Sequence, residues 1–412
     1  MRLLAALGSY VFALAIARGY GAGGMGVYSL TVTLLTILGT LAGMGFGYAA
    51  VRLVPQYITE GRPDRLRHLY RLILRWALPA SFVLGACLFA AASPVAGDLF
   101  HDPALAAALR VAGVVLPLFV MLRIHTEIVR GFKNLALSEF MRDAHIPLAG
   151  AGFLVLLRLA GCGVHAPVLS YALGIASGCL VAMLYVASRI LRLPPGSDPS
   201  LSSRELAGIS LPMMMGDVLG WRIDLMLIVL FASTQAVGLY DVPFRLAVAV
   251  SLLLGPINAI TAPKIAELFW SGNMEGLKRV IRMTSRIMFW SSAFVLLVLL
   301  AAPGFWLRLF GKEFRAGYPV LILLAVGQFV SGANGTVGCF LNMTGNHRIF
   351  RNITVMSIVA NILLSCLLIP LFGITGAAEA FMVTMILWNA SAAAWIWRRF
   401  RIRTFYIPLL MH

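Results

Sequence analysis

The stretch PQYITEGRPDRLRHLYR (55–71) decides the fold of this chain. It concentrates Arg62, Arg65, Arg67 and Arg71 between two apolar runs, 27–53 and 72–96. Each run is long enough to cross a bilayer as a helix, which takes ~20 apolar residues. Working outward, further apolar runs lie at 3–22, 105–130, 139–159, 167–190, 206–232, 238–266, 281–302, 318–342, 350–370 and 374–397. Most of the 33 lysines and arginines fall in every second gap. The clusters are 52–75, 123–142, 189–204, 264–286, 348–351 and 398–403, with Arg2 at the start. Loops rich in Lys and Arg stay cytoplasmic. The chain therefore reads as an all-α, multi-pass membrane protein of about twelve spans, with N- and C-termini in the cytoplasm. Within 55–71, Leu66, Leu69 and Tyr70 recur at helical spacing among the charges, which predicts a short amphipathic helix on the membrane surface.

Composition supports this reading. The chain has 412 residues, 60% hydrophobic and 12% charged, with a mean hydropathy of +0.90. Soluble domains carry about 25% charged residues, and no gap here can hold a soluble domain. The net charge of +17 would suggest nucleic acid in a soluble protein. Here it sits at helix ends, where it faces anionic phospholipid headgroups, and nucleic acid is excluded as a partner. The five cysteines show no CxxC spacing and read as small buried hydrophobes. Arg2, an apolar run and Ala15-Ile16-Ala17 imitate a cleaved signal. The run is retained as a span, because it is needed to put 52–75 on the cytoplasmic side.

The Pro/Ser-rich stretch LRLPPGSDPSLSSREL (191–206) divides the chain. The expected organisation is a six-helix bundle over 1–190, a linker over 191–205, a second bundle over 206–397 and a tail over 398–412. The halves resemble each other at an offset of about 210 residues. Gly26-Val27-Tyr28 matches Gly238-Leu239-Tyr240, and Pro55 matches Pro263. GRPDRLRHLYR (61–71) matches GNMEGLKRVIR (272–282), and Phe100 matches Phe310. Because six is even, both halves insert the same way up, as parallel repeats related by an axis along the membrane normal.

GYGAGGMG (19–26) fits GxGxxG twice, but it lacks the preceding strand and the later acid of a dinucleotide site. It reads as a hairpin turn near Gly23, and a second hairpin is expected near Gly373. Gly39, Gly43 and Gly47, like Gly174 and Gly178, have the spacing of close helix packing. No hydrolase, metalloprotease or Walker motif is present, so neither an enzyme nor a cofactor or metal site is expected.

Ionisable residues at membrane depth are the sharper signal, since each costs ~2.5–3.5 kcal/mol or more at the centre of a lipid-facing helix. The candidates for a cavity lining are Arg18, Arg123, Glu127, Asp217, Arg222, Asp224 and Arg245. Arginine binds phosphate bidentately, so a cationic lumen suits an anionic headgroup. The alternative is internal neutralisation: Asp241 with Arg245, Asp224 with either arginine, and Arg123 with Glu127. His125 reads as a satisfied polar residue.

ARGYGAGGMGVYSL (17–30), GMGFGYAAVRLVPQY (43–57), WRIDLMLI (221–228), AVGLYDVPFRLA (236–247) and ANILLSCLLIPLFGITGAAEA (360–380) together resemble bacterial polysaccharide flippases. These belong to the superfamily that also holds the multidrug and toxin extrusion (MATE) transporters and the peptidoglycan lipid flippase. The resemblance implies two six-helix bundles forming a V that opens alternately to either side. It implies transport of an undecaprenyl-pyrophosphate-linked oligosaccharide across the bacterial inner membrane for surface polysaccharide such as O-antigen or exopolysaccharide. It also implies a polysaccharide polymerase and glycosyltransferases as partners. Arg18, Arg222, Asp224 and Arg245 sit where the family's motifs place charges. The competing reading is a MATE-type cation-coupled antiporter. Its carboxylate is expected deep in the first bundle, whereas 3–22, 27–53 and 72–96 hold no Asp or Glu.

Overall fold

A computed structural model describes residues 2–190, 192, 201–218 and 222–406. All regular elements among the described residues are helical, with no strand. Ten helical segments are long and apolar enough to cross a membrane. Their lateral faces carry the apolar side chains that a soluble protein would bury. On one long helix, Met283, Ile287, Trp290, Phe294 and Leu297 are all exposed at helical spacing. Apolar surface so continuous fits lipid rather than water.

The first helical segment, α1 (Arg2–Gly43), is two spans. Gly21 adopts φ 67°, ψ −169° inside it, a conformation open to glycine alone. The Phe12 and Tyr28 rings lie 5.5 Å apart edge to face, although sixteen residues of straight helix would separate them by ~24 Å. The chain therefore reverses at Gly21, and the turn expected near Gly23 falls two residues earlier. The second hairpin forms the same way. α16 (His347–Phe372) and α17 (Ile374–Phe400) are joined by Gly373 alone, at φ 59°.

α2 (Phe46–Thr59) continues the second arm of α1 after a break at Met44 and Gly45. α3 (Pro63–Pro94) is one continuous helix that absorbs the segment expected as a separate surface helix. Leu66 and Leu69 are buried in the protein (3% and 1% exposed), so the amphipathic face packs on protein rather than on lipid. α4 (Leu105–Gly131) is the central helix of this part. Gly85 of α3 and Gly113 of α4 meet so closely that a Cβ on either would strike the other's carbonyl oxygen. α5 (Leu135–Glu139) leads through a π-helical turn, Phe140–Ala144, into α6 (His145–Leu159). α7 (Ala166–Ile190) packs on α6 through Gly174 and Gly178, as the glycine spacing predicted.

α8 (Ser203–Val218) and α9 (Ile223–Phe231) represent the expected span 206–232. α8 opens with a capping box. Glu205 accepts from the Ser202 backbone N–H (2.9 Å), and the Ser202 hydroxyl accepts from the Glu205 N–H (3.2 Å), satisfying two donors that a helix start leaves open. The remaining elements are α10 (Thr234–Val248), α11 (Leu254–Trp270), α12 (Met274–Ala301), α13 (Pro303–Phe310), α14 (Tyr318–Ala333) and α15 (Val337–Met343).

By packing, the chain forms two units, Met1–Leu225 with Ser233–Gly238, and Met226–Ala232 with Leu239–His412. α8 belongs to the first because Gly45 admits it: a Cβ there would collide with the Ser210 carbonyl. The start of α10 also belongs to the first. A Cβ on Gly26 would collide with the Thr234 carbonyl, and one on Gly238 with the Ala22 carbonyl. The matched glycines of the two repeats thus meet in a reciprocal, locally two-fold contact.

The second unit has a core of Ile265, Leu268, Leu277, Ile281, Phe340 and Ile396, closed by Ile402. After α17 the chain turns at Arg401, at a left-handed φ of 55°, and residues 402–406 run back with alternate side chains buried. Ile402, Thr404 and Tyr406 are buried while Arg401, Arg403 and Phe405 face out. Thr404 donates to Asn334 Oδ1 (3.0 Å), Ser285 donates to the Thr404 carbonyl (2.7 Å), and Asn334 donates to the Asn389 carbonyl (2.8 Å). The segment ends with Tyr406 against the Phe289 ring. Irregular backbone at membrane depth persists only where protein surrounds it, which these bonds provide. Of the cysteines, Cys179 is buried but Cys87 and Cys366 are exposed on helix flanks, so the expectation of uniform burial does not hold.

Candidate functional site

Of the candidate charges, Arg222, Asp224 and Arg245 are held in ion pairs, and Arg123 and Glu127 line a cavity. Arg18 lies one turn before the Gly21 reversal and is exposed. Arg222 grips Asp224 at the start of α9: Nε reaches Oδ1 at 3.0 Å, and Nη2 reaches Oδ2 at 3.0 Å. Asp224 is 8% exposed and stands in the first turn of its helix, where the dipole favours a carboxylate. Arg245 bonds through Nε to Asp241 Oδ2 at 2.6 Å, four residues earlier on α10. Asp241 is 1% exposed. Two of the three neutralising pairings open from the sequence are therefore present, and Asp224 takes Arg222 of the two arginines open to it. The Asp217 side chain lies outside the described residues.

Arg123 and Glu127 line one cavity of about 70 Å³, walled by Gly39, Thr40, Tyr48 and Val120. Its shape follows from the sequence GMGFG (43–47). Met44 takes a left-handed φ of 46° and Gly45 one of 72°, which breaks the helix. Gly43 faces open space, and a Cβ on Gly47 would touch Glu127. The glycine row expected to pack against a helix throughout instead opens a recess at Gly43. Gly39, against the Phe119 ring, keeps the packing role. Arg123 does not make the pair with Glu127 that the alternative of internal neutralisation allowed; its guanidinium lies 5.8 Å from the centre of the Phe119 ring. Glu127 turns to Arg130 (3.6 Å) and Arg142 (3.7 Å). The π turn brings Arg142 there and also sets it on Glu139 (2.9 Å) and Asp143 (3.2 Å). Such a volume holds a few waters or a single small anion group, since a water needs ≳10–15 Å³. It is too small for an oligosaccharide.

His125, one turn along, is 1% exposed. Nδ1 lies 2.6 Å from the Met121 carbonyl and so donates; Nε2 therefore accepts from the Tyr70 hydroxyl at 3.0 Å. It is satisfied on both sides and ties α3 to α4. Tyr48 on the cavity wall and Arg142 beside Glu127 are the residues that sequence reasoning missed. Nothing in the spacing around Phe140 signals a π turn. Among the described residues, no group of three His, Cys, Asp or Glu side chains could hold a metal ion.

Ten helical segments long and apolar enough to cross a membrane, with charge pairs and a small polar recess set among them, define a multi-pass membrane protein. The fold is that of a MATE family multidrug resistance transporter of the MOP superfamily in its inward-facing conformation. It matches at TM-score 0.75 over 97% of this chain and 95% of that one, at 14% identity. The lipid II flippase MurJ, inward closed, matches at TM-score 0.64 over 96% and 85%, at 16% identity. Residues 1–269 match the polysaccharide biosynthesis protein family, and the chain belongs to that family. A similar protein, the probable low-salt glycan biosynthesis flippase Agl15 of Haloferax volcanii, is 25% identical over 88% of this chain and 74% of its own length. The probable flippase AglR of the same organism is 30% identical over 40% of this chain and 35% of its own length.

Proposed function

We propose that the chain flips a lipid-linked oligosaccharide, of the undecaprenyl-pyrophosphate kind, across the membrane by alternating access through a cationic cavity. The observation that carries this reading is the set of arginines in or beside apolar helices, Arg18, Arg123, Arg222 and Arg245, in a member of the polysaccharide biosynthesis family. A sugar-diphosphate head cannot cross ~30 Å of hydrocarbon unaided. Guanidinium groups in a sheltered path replace its water, while the lipid tail stays in the bilayer. No bond is made or broken, so binding groups suffice. In this reading the basic helix ends face the cytoplasm. Glycosyltransferases and a polymerase supply and consume the glycan, and anionic phospholipids surround the basic ends.

The second reading, a cation-coupled antiporter, is favoured by the buried carboxylates Asp224 and Asp241. One experiment separates the two. The protein is reconstituted in liposomes with a fluorescent undecaprenyl-pyrophosphate oligosaccharide, and the fraction reaching the opposite leaflet is scored. Translocation lost in the Arg123→Gln variant supports the flippase. No translocation, together with ion-gradient-driven efflux of small organic cations from the same vesicles, replaces it with the antiporter.

A further inference from the structure

The α16–α17 hairpin is closed at one end and open at the other. At the Gly373 turn the helices touch backbone to backbone: a Cβ on Gly376 would collide with the Leu368 carbonyl. Further along they are braced by Trp388, which donates to Thr354 Oγ1 at 3.1 Å. Beyond that brace, toward the basic end, they part around a cleft of about 410 Å³. α16 contributes Ile349, Asn352, Ile353 and Met356, and α17 contributes Ser391, Ala394, Trp395 and Arg398. Each set follows the i, i+3, i+4, i+7 spacing of one helix face, so the two faces oppose each other. Ser391 and Ala394 are too small to fill the gap.

The lining is mixed. Arg398 and Asn352 supply its cation and its neutral donor, no acidic side chain is among the lining residues, and Ile349, Ile353, Met356 and Trp395 give an apolar wall. The cleft opens sideways onto the apolar flank of α16. There Met356, Val359, Leu363, Leu367 and Leu371 are 71%, 51%, 65%, 62% and 68% exposed. Fifteen helical residues make this stripe ~22 Å long, most of a bilayer's hydrocarbon thickness. One cation with a neutral donor, above one long apolar track, matches a lipid with one phosphate head and one long chain.

We propose that this cleft seats the phosphate and first isoprene units of a polyprenyl phosphate in the leaflet at the basic end, with the chain lying along α16. The site would hold the lipid carrier of the substrate beside the transport path, and in naming that carrier it rests on the proposed function. A charge-assisted hydrogen bond contributes about 1.5–3 kcal/mol, so loss of Arg398 should weaken retention about tenfold or more.

The test uses the full chain in phosphatidylcholine nanodiscs with a photoactivatable polyprenyl monophosphate, mapping adducts by peptide mass spectrometry. Adducts should fall within 349–356 and 391–398. They should be competed by unlabelled polyprenyl phosphate but not by equimolar phosphatidylglycerol. They should drop about tenfold in Arg398→Gln and in Ala394→Phe, which fills the cleft; Ser391→Leu is the replacement if Ala394→Phe fails to fold. Adducts spread over other helices, persistence in both variants, or equal competition by phosphatidylglycerol would overturn the proposal. Labelling needs no transport, so a chain that labels here yet moves no glycan refutes the flippase and leaves the lipid site standing.

Discussion

Arg222 and Asp224 allow structure and transport to be separated. Arg222→Ala strips a bidentate partner from a carboxylate whose side chain is 10% exposed. Breaking a fully buried pair costs about 3–5 kcal/mol. The Arg222 side chain is 27% exposed, and solvent screening brings the expected loss to about 2–3 kcal/mol. That alone would reduce transport by reducing folded protein, so the single variant proves little. The double variant Arg222→Gln/Asp224→Asn removes both charges and keeps groups able to hydrogen bond. It should recover wild-type stability to within about 1 kcal/mol. If Arg222 also contacts the diphosphate, transport by the double variant should stay at least ~10-fold down, the worth of one charged hydrogen bond. Thermal unfolding in detergent and leaflet exchange in liposomes are measured on the same preparations. A double variant that is stable and flips at the wild-type rate would refute the substrate role and reduce Arg222 to a counter-ion.

Gly26→Ala should destabilise by about 1–3 kcal/mol, because the new methyl meets the Thr234 carbonyl. Gly23→Ala, with nothing within 4 Å, should be neutral or stabilising by melting temperature; equal behaviour of the two contradicts the close contact. Asn334→Leu and Thr404→Val should each cost about 0.6–1.7 kcal/mol. Measured together they should fall short of additivity, since they share one bond; full additivity would show the bond does not form. Ser202 donors hold the Glu205 carboxyl below the usual carboxylate range. A depressed folded value means the cap stabilises above the unfolded pKa and is lost as pH falls through the folded one. Amide exchange at 203–206 should therefore rise as pH falls below the usual glutamate range and lose that pH dependence in Glu205→Gln.

The sequence made much of this legible for physical reasons. Spans follow from hydropathy, because unsatisfied backbone cannot sit in lipid. The pair Arg245–Asp241 followed from its four-residue spacing, whereas the sequence left Asp224 open to either arginine and the helix start chose Arg222. What could not be read was local helix geometry. The Met44–Gly45 break turned part of a packing row into a recess, and the Phe140–Ala144 turn gave Glu127 to Arg142 rather than Arg123. Both depend on which neighbour approaches, and hydrophobic periodicity does not record that. The repeat match at Gly26 and Gly238 located a contact without announcing it. Homology of position became adjacency only once the helices were assembled.

The back-folded segment 401–406 has a consequence for how the protein is made. Those residues leave the ribosome after every helix they pack against. Ile402, Thr404 and Tyr406 complete the core around Phe340, Asn334 and Phe289, yet they arrive only when α12, α14 and α17 have already been delivered to the membrane. Until then Asn334 has an unanswered carbonyl oxygen and Ile396 an open flank. Arg401 and Arg403 then flank the insertion on its way in. The core of the second unit thus closes only after α17 has been delivered, and a chain cut before 401 would leave it as a helical bundle with an unfilled seam.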